Sequence, residues 1–139
     1  MNTPASPRVS VIIPHWNGRH HLDDCLNALR RQTFADHEVI LVDNGSTDGS
    51  QAYVRERFPE VRLVEMGRNS GFTGAGNAGY AASRGEFVCL LNNDTEADAN
   101  WLAAIVEVFD RQPRVGVVAS KMLLFDRRDY FHTAGDFYR

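Results

Sequence analysis

Two carboxylates, Asp43 and Asp94, stand about fifty residues apart, each at or near the end of an apolar run. The first run is Val39-Ile40-Leu41-Val42, which breaks into Asp43-Asn44-Gly45-Ser46-Thr47-Asp48-Gly49. The second is Phe87-Val88-Cys89-Leu90-Leu91, which breaks into Asn92-Asn93-Asp94-Thr95. A carboxylate directly after a buried strand can accept hydrogen bonds from a nucleobase N–H or a ribose hydroxyl. Asp43 is placed for that role, because it lies upstream of any helix cap. Ser46 and the glycines permit a tight turn with available backbone N–H groups. Asp48 reads equally well as a cap residue. Hard divalent cations such as Mg²⁺ take oxygen ligands and often combine one or two carboxylates with substrate phosphates. Asp94 suits that chemistry, with Asn92 as a neutral helper. The plainer alternative is a polar turn capped by Thr95.

Two more segments carry polar groups suited to a ligand. Pro14-His15-Trp16-Asn17-Gly18 follows the short β-branched run Val9-Ser10-Val11-Ile12-Ile13. His15 and Trp16 are placed to flank a base or to act as a packing lid. The segment Arg68-Asn69-Ser70-Gly71-Phe72-Thr73-Gly74-Ala75-Gly76-Asn77-Ala78-Gly79 contains Gly74-x-Gly76-x-x-Gly79. That spacing matches a dinucleotide-binding pattern, which should follow directly on a strand. Here about seven residues of loop intervene, so a loop running into a tightly packed helix is the better reading. Asn77 can donate to a ligand oxygen, and Arg68 reads as a phosphate contact or a solvated side chain.

The elements that must position these groups alternate. Strands are expected at 9–13, 38–42, 61–66 and 86–91, and a further one at 115–119, with 122–125 extending it or pairing elsewhere. Leu22, Cys25, Leu26 and Leu29 recur at helical spacing, predicting a helix over about 19–31. Asp48 with Gln51 reads as a capping box opening a helix that runs to Phe58, before Pro59. Further helices are expected at 75–83 and around Trp101, Leu102, Ile105, Val108 and Phe109. Such alternation predicts a mostly parallel sheet with helices on both faces. Ligands of such sheets bind outside the carboxyl ends of the strands.

The chain has 139 residues, enough for one domain with a sizeable core. A net charge of −3 without a basic block argues against a nucleic-acid partner. No apolar run approaches the roughly 18 residues needed to span a bilayer. Residues 1–8 lack the apolar stretch of a secretory signal and are expected to be a disordered lead, with the domain at 9–139. Cys25 and Cys89 read as small buried hydrophobes, in a reduced, cytoplasmic setting. The aromatic tail from Arg127 to Arg139 suggests a chain that stops in mid-fold.

Together these segments resemble the nucleotide-sugar-binding part of family 2 glycosyltransferases, which have the Rossmann-like GT-A α/β fold. The resemblance runs in order from Val9 to Asp98. It implies that Pro14, His15, Trp16, Asn17, Asp43, Ser46, Gly71, Asn77, Asn92 and Asn93 line the nucleotide site, with Asp43 on the base. Asp94 would be the last acid of the family's metal-binding Asp-x-Asp motif, binding Mg²⁺ or Mn²⁺. Asn92 replaces the first acid, as in the rhamnosyltransferase-like branch, whose Asn-Asn-Asp-Thr this resembles. His132-Thr133-Ala134-Gly135 also resembles a motif of that branch.

The resemblance implies inverting transfer from a UDP- or dTDP-sugar to a glycan or lipid-linked acceptor hydroxyl. The family's catalytic base lies in the acceptor half, beyond the end of this chain, so no base is named. The chain alone is expected to bind donor nucleotide weakly and to transfer sugar slowly or not at all. A cytoplasmic place is implied, with a peripheral one at the inner face of the membrane as the alternative. Apolar residues at the exposed seam, with Phe125, Tyr130, Phe131, Phe137 and Tyr138 near it, predict self-association. A strictly monomeric protein at high concentration in light scattering would count against that. The competing readings are a catalytically inactive nucleotide-binding or assembly module and, further off, a Rossmann-type NAD(P) oxidoreductase.

Overall fold

The computed structural model describes residues 6–133. Four parallel strands form the central sheet in the order β3-β2-β1-β4. They are β1 (Val9–His15), β2 (His37–Asp43), β3 (Arg62–Glu65) and β4 (Phe87–Leu90). The helices are α1 (Leu22–Arg30), preceded by a 3₁₀ turn at Arg19–His21, then α2 (Ser50–Arg57), α3 (Gly71–Ala82) and α4 (Trp101–Arg111). A separate antiparallel pair, β5 (Met122–Leu123) and β6 (Phe131–Thr133), comes after α4.

The period of two along the strands divides the core into two layers. Val9, Val11, Ile13 and Leu41 face one side, where they pack with Leu22, Cys25, Leu26 and Leu29 of α1, Val54 of α2, and Leu102 and Val106 of α4. Ile12, Ile40 and Val42 face the other side, where Ala75 of α3 meets them. The expected sheet with helices on both faces is therefore present. β1 is buried almost throughout and β2 over its second half, Ile40 to Asp43, which explains their continuous apolar runs.

The loop that carries Asp94 is anchored from below by Gln32. Its Nε2 donates to the carbonyls of Ala28 (3.2 Å) and Asp98 (2.7 Å), and its Oε1 accepts the Leu102 N–H (3.0 Å). Backbone pairing of Thr33 N–H with Ala99 O adds a second tie. The entry into α4 is thus fixed to the end of α1.

Several expectations are corrected. The helix expected at 75–83 begins at Gly71, so Gly74, Gly76 and Gly79 all lie inside α3. None of them occupies a strand-to-helix turn, which removes the geometric basis of the dinucleotide pattern. Residues 115–119 form no strand, and Val117 is 86% exposed. Asp48 and Gln51 make no capping box. Gly49 is the N-cap of α2, while Asp48 accepts the Ser50 N–H and Gln51 turns inward to Asp43. β4 is not fully buried, since Val88 and Leu90 are exposed. It is an edge strand among the described residues, and α3 packs over β1, β2 and β3 instead. Cys89 on β4 is only half-buried. Of the expected disordered lead, residues 1–5 lie outside the described residues. Arg8 is tied down: its backbone N–H meets Asp36 O, and its guanidinium pairs with Glu86 and Asp110. Ala134, Gly135, Phe137 and Tyr138 also lie outside the described residues.

Candidate donor site at the carboxyl edge of the sheet

Register places the functional groups side by side. His15 at the end of β1 lies opposite Asp43 at the end of β2. Leu91 N–H pairs with Ile12 O, so the Asn92-Asn93-Asp94 loop leaves the sheet beside the β1 loop. The loops after all four strands therefore meet at one edge.

Hydrogen bonds between loops hold this edge together. Asn17 adopts φ 49°, a left-handed conformation that asparagine tolerates better than most residues. Its backbone N–H donates to Ser46 Oγ (3.0 Å), and its Oδ1 accepts the Thr47 N–H (2.8 Å). Asn44 joins the β2 loop to the start of α3. Its Nδ2 donates to Asn69 Oδ1 (3.0 Å) and Gly71 O (3.1 Å), and its Oδ1 accepts the Ser70 N–H (2.9 Å). Gly45, at φ +80°, lets this turn pass so close to the Arg68 backbone that a Cβ would sit 2.9 Å from it.

Asp43 is only 1% exposed. Its Oδ2 accepts from Gln51 Nε2 (2.9 Å) and from the Ser46 N–H (3.2 Å). Its visible work is to shape the Asn44–Gly49 turn, whereas the sequence placed it on a base. Trp16 stands 56% exposed above the same edge, with exposed Asn17 beside it and half-buried Pro14 below. Gly71, at φ 74°, and Asn77 are exposed on α3.

His15 departs most from its expected role. It is 1% exposed, so it does not lie along a base. Its Nε2 is 2.8 Å from Ser50 Oγ, and its Nδ1 is 2.9 Å from Asn93 Nδ2. The proton arrangement is set from the far end of this chain of bonds. Burial pushes the Asp48 carboxyl upward, but hydrogen bonds from the Ser50 hydroxyl and from the Arg19 and Ser50 N–H groups outweigh it and hold Asp48 below the usual range. An ionised Asp48 only accepts, so the Ser50 hydroxyl donates to it. Ser50 Oγ then accepts from His15 Nε2–H, which leaves Nδ1 as the acceptor for the Asn93 amide. Burial lowers the His15 pKa, against the opposing pull of Asp43 and Asp48, which favours this neutral ring. Burial also pushes the thiols of Cys25 and Cys89 up to about 12 and about 11, so neither is a nucleophile.

Asp94 is exposed at the tip of the β4 loop, beside exposed Asn92. Among the described residues, no group of three or more His, Cys, Asp or Glu side chains could hold a metal ion. A lone carboxylate with a neutral amide fits a cation shared with a ligand's phosphates and does not make a preformed cage. Asn44, Ser50, Gln51 as an inward donor, and Gly18 join the site only through the fold. Their signal was proximity: Asn44, Gly18 and Ser50 lie inside or next to segments already singled out.

A parallel α/β sheet whose loops are cross-linked at its carboxyl edge, with Asp94 exposed among them, defines the open α/β class of fold that takes ligands at that edge. The family model for glycosyl transferase family 2 matches residues 10–137, and the chain belongs to that family. An uncharacterized glycosyltransferase of Nostoc sp. is 38% identical over 114 residues, covering 80% of this chain and 35% of the relative. Glycosyltransferase AglE of Haloferax volcanii is 33% identical over 105 residues, covering 72% of this chain and 34% of the relative. The chain thus spans about a third of the length of these curated relatives. Among solved structures, the mannosyltransferase PcManGT of Pyrobaculum calidifontis, in complex with GDP-Man and Mn²⁺, superposes with a TM-score of 0.69 at 30% identity. That match covers 76% of this chain and 33% of PcManGT. Residues 1–349 of TarS of S. aureus, in complex with UDP-GlcNAc, give a TM-score of 0.70 at 23% identity over 87% of this chain and 42% of that fragment, a likeness of fold. The GT-A fold expected from the sequence is therefore present.

Proposed function

We propose that this chain is the donor-binding part of an inverting glycosyltransferase that moves a sugar from a nucleotide diphosphate to an acceptor hydroxyl. One observation carries the reading. Four loops converge at the carboxyl edge of the sheet, hydrogen-bonded to one another, with Asp94 exposed among them. PcManGT, with its GDP-Man and Mn²⁺, supports a nucleotide-sugar donor and a divalent ion. In this reading Trp16 offers the base an aromatic face, Pro14 and Asn17 border the nucleoside, and the turn around Asp43 and Ser46 supports it. Gly71 and Asn77 face the ligand from α3. Asn92, Asn93 and Asp94 face the diphosphate. A Mg²⁺ or Mn²⁺ ion held by Asp94 and the diphosphate would neutralise the departing nucleotide's charge. UDP- and dTDP-sugars are the donors we favour, a glycan or lipid-linked hydroxyl the acceptor, and the cytoplasm the setting. No helix among the described residues is long and apolar enough to cross a membrane.

The single carboxylate favours a second reading, a nucleotide-binding module without transfer. Melting with UDP, dTDP and GDP, each with and without Mn²⁺, tests the donor site. A nucleotide at about a hundred times its dissociation constant should stabilise the fold by roughly 2.7 kcal/mol. The shift should need Mn²⁺ and vanish in Asp94→Ala. A shift that survives that substitution and needs no metal would overturn Asp94's role. Exposed Val88 and Leu90 on the open edge of the sheet, with exposed Phe125, Tyr130 and Phe131, support the self-association expected from the sequence.

A further inference from the structure

We propose that His15 is a positioning residue: its buried ring pins the Asn93 amide and so sets the conformation of the loop that presents Asp94. The inference rests on the donor-site reading for its functional consequence, but its structural core stands apart from it. Asn93 is held from two sides. On one side its Nδ2 donates to His15 Nδ1 at 2.9 Å. On the other, it lies where a side chain on Gly18 would begin, 2.5 Å from the position of a Cβ there. Gly18 has φ −123°, which any residue can adopt. A side chain here would displace the end of the Asn93 side chain from the space it fills.

The ring itself cannot turn freely. It is enclosed, and its second nitrogen is fixed by Ser50, which Asp48 holds in turn. Asp48 also accepts the Arg19 N–H (3.0 Å), so the β1 loop is tied to the same carboxylate. The row Asp48–Ser50–His15–Asn93 thus connects the β2 loop to the β4 loop through the end of β1. A flipped Asn93 amide would set its oxygen against the Nδ1 lone pair. The row therefore specifies one orientation of Asn93 and leaves its other amide atom directed away from His15. Asp94 is the next residue, so its backbone position is coupled to that bond.

Two substitutions separate this role from a general need for a filled core. In His15→Asn the amide ends where Nδ1 stands, so an acceptor for Asn93 remains and the Ser50 bond is lost. In His15→Gln the amide reaches one bond further, to the Nε2 position, so Ser50 keeps a partner and Asn93 loses one. Gly18→Ala crowds the Asn93 amide, at 2.5 Å, and meets the ring only in ordinary contact, 3.5 Å from His15 Cε1. Backbone amide NMR signals of residues 92–94, in ligand-free protein, should move strongly in His15→Gln and Gly18→Ala and little in His15→Asn. Affinity for UDP with Mn²⁺ and for GDP with Mn²⁺, whichever binds the unaltered chain, should fall about tenfold in the first two variants, the loss of one hydrogen bond. It should fall less in His15→Asn. Signals at 92–94 unchanged in both His15→Gln and Gly18→Ala would overturn the proposal, whatever the affinities. Displaced signals in a chain whose unaltered form binds none of UDP, dTDP and GDP with Mn²⁺ would uphold the positioning and overturn the donor-site reading.

Discussion

Gly79→Val should lower the melting temperature of this chain by roughly 10 °C, the effect of about 3 kcal/mol lost in a domain of this size. Any Cβ at position 79 would stand 2.3 Å from Ile12 Cγ2 and 3.0 Å from Val42 Cγ2. Both partners are 0% exposed and lie on adjacent central strands, so neither has room to retreat. Relief requires α3 to lift from the sheet. That would also pull on Asn44, whose amide bonds the start of α3 at Gly71 O. Gly76→Ala is the internal comparison. Its Cβ would meet only Leu90 Cδ2, at 3.7 Å, an ordinary contact. Removing a glycine from a helix interior gains up to about 1 kcal/mol, so Gly76→Ala should be neutral or stabilising. Thermal unfolding by circular dichroism reads both. Equal melting temperatures for the two variants would contradict this packing.

The contrast between these glycines shows where sequence reading succeeds and where it stops. The strand–helix alternation was legible because Val11, Ile13 and Leu41, with Leu22, Leu26 and Leu29, sit on faces with periods of two and 3.6. The start of α3 was not. Gly71-Phe72-Thr73-Gly74 is a poor helix-forming stretch, and the packing of Ala75 and Gly79 on the sheet overrides it. Val115 to Ala119 has strand-like residues but no partner strand among the described residues, and β-propensity without a partner builds nothing. The chemistry-bearing residue types were legible, because Asp, Asn and Gly at the ends of apolar strands are conspicuous. Their pairing was not. His15 meets Ser50 across 35 positions and Asn93 across 78, and no local pattern encodes either contact. A buried histidine and an exposed one look alike in sequence, so His15 was placed beside Trp16 when the fold turns them to opposite environments.

Asp43→Ala should weaken nucleotide binding and destabilise the fold together, because this carboxylate acts through the turn it holds. Removing it leaves the Ser46 N–H without its side-chain acceptor and Gln51 Nε2 with only the Ser46 carbonyl, 2.8 Å away. An unsatisfied buried donor costs about 1–3 kcal/mol, and the two donors here share one turn. Ser46 also accepts the Asn17 N–H, so loosening it loosens the β1 loop on which Trp16 stands. Asp43→Asn separates a role in contact with the nucleotide from a role in the turn. Both internal donors converge on Oδ2, and Oδ1 is only a distant 3.4 Å from the Ser46 N–H. An asparagine whose oxygen takes the Oδ2 position keeps both of these bonds, loses the charge, and exchanges only the distant Oδ1 acceptor for an N–H donor. Its melting temperature and its affinity for UDP or GDP with Mn²⁺ should therefore lie much nearer the unaltered chain than those of the alanine variant. The opposite pattern, an asparagine variant that melts normally yet binds as poorly as Asp43→Ala, would mean that Oδ1 itself reads the base. Side-by-side calorimetric titration and melting of the two variants decide between a carboxylate that touches the nucleotide and one that builds the turn beneath it. With 1% of Asp43 exposed, the second is the expected result.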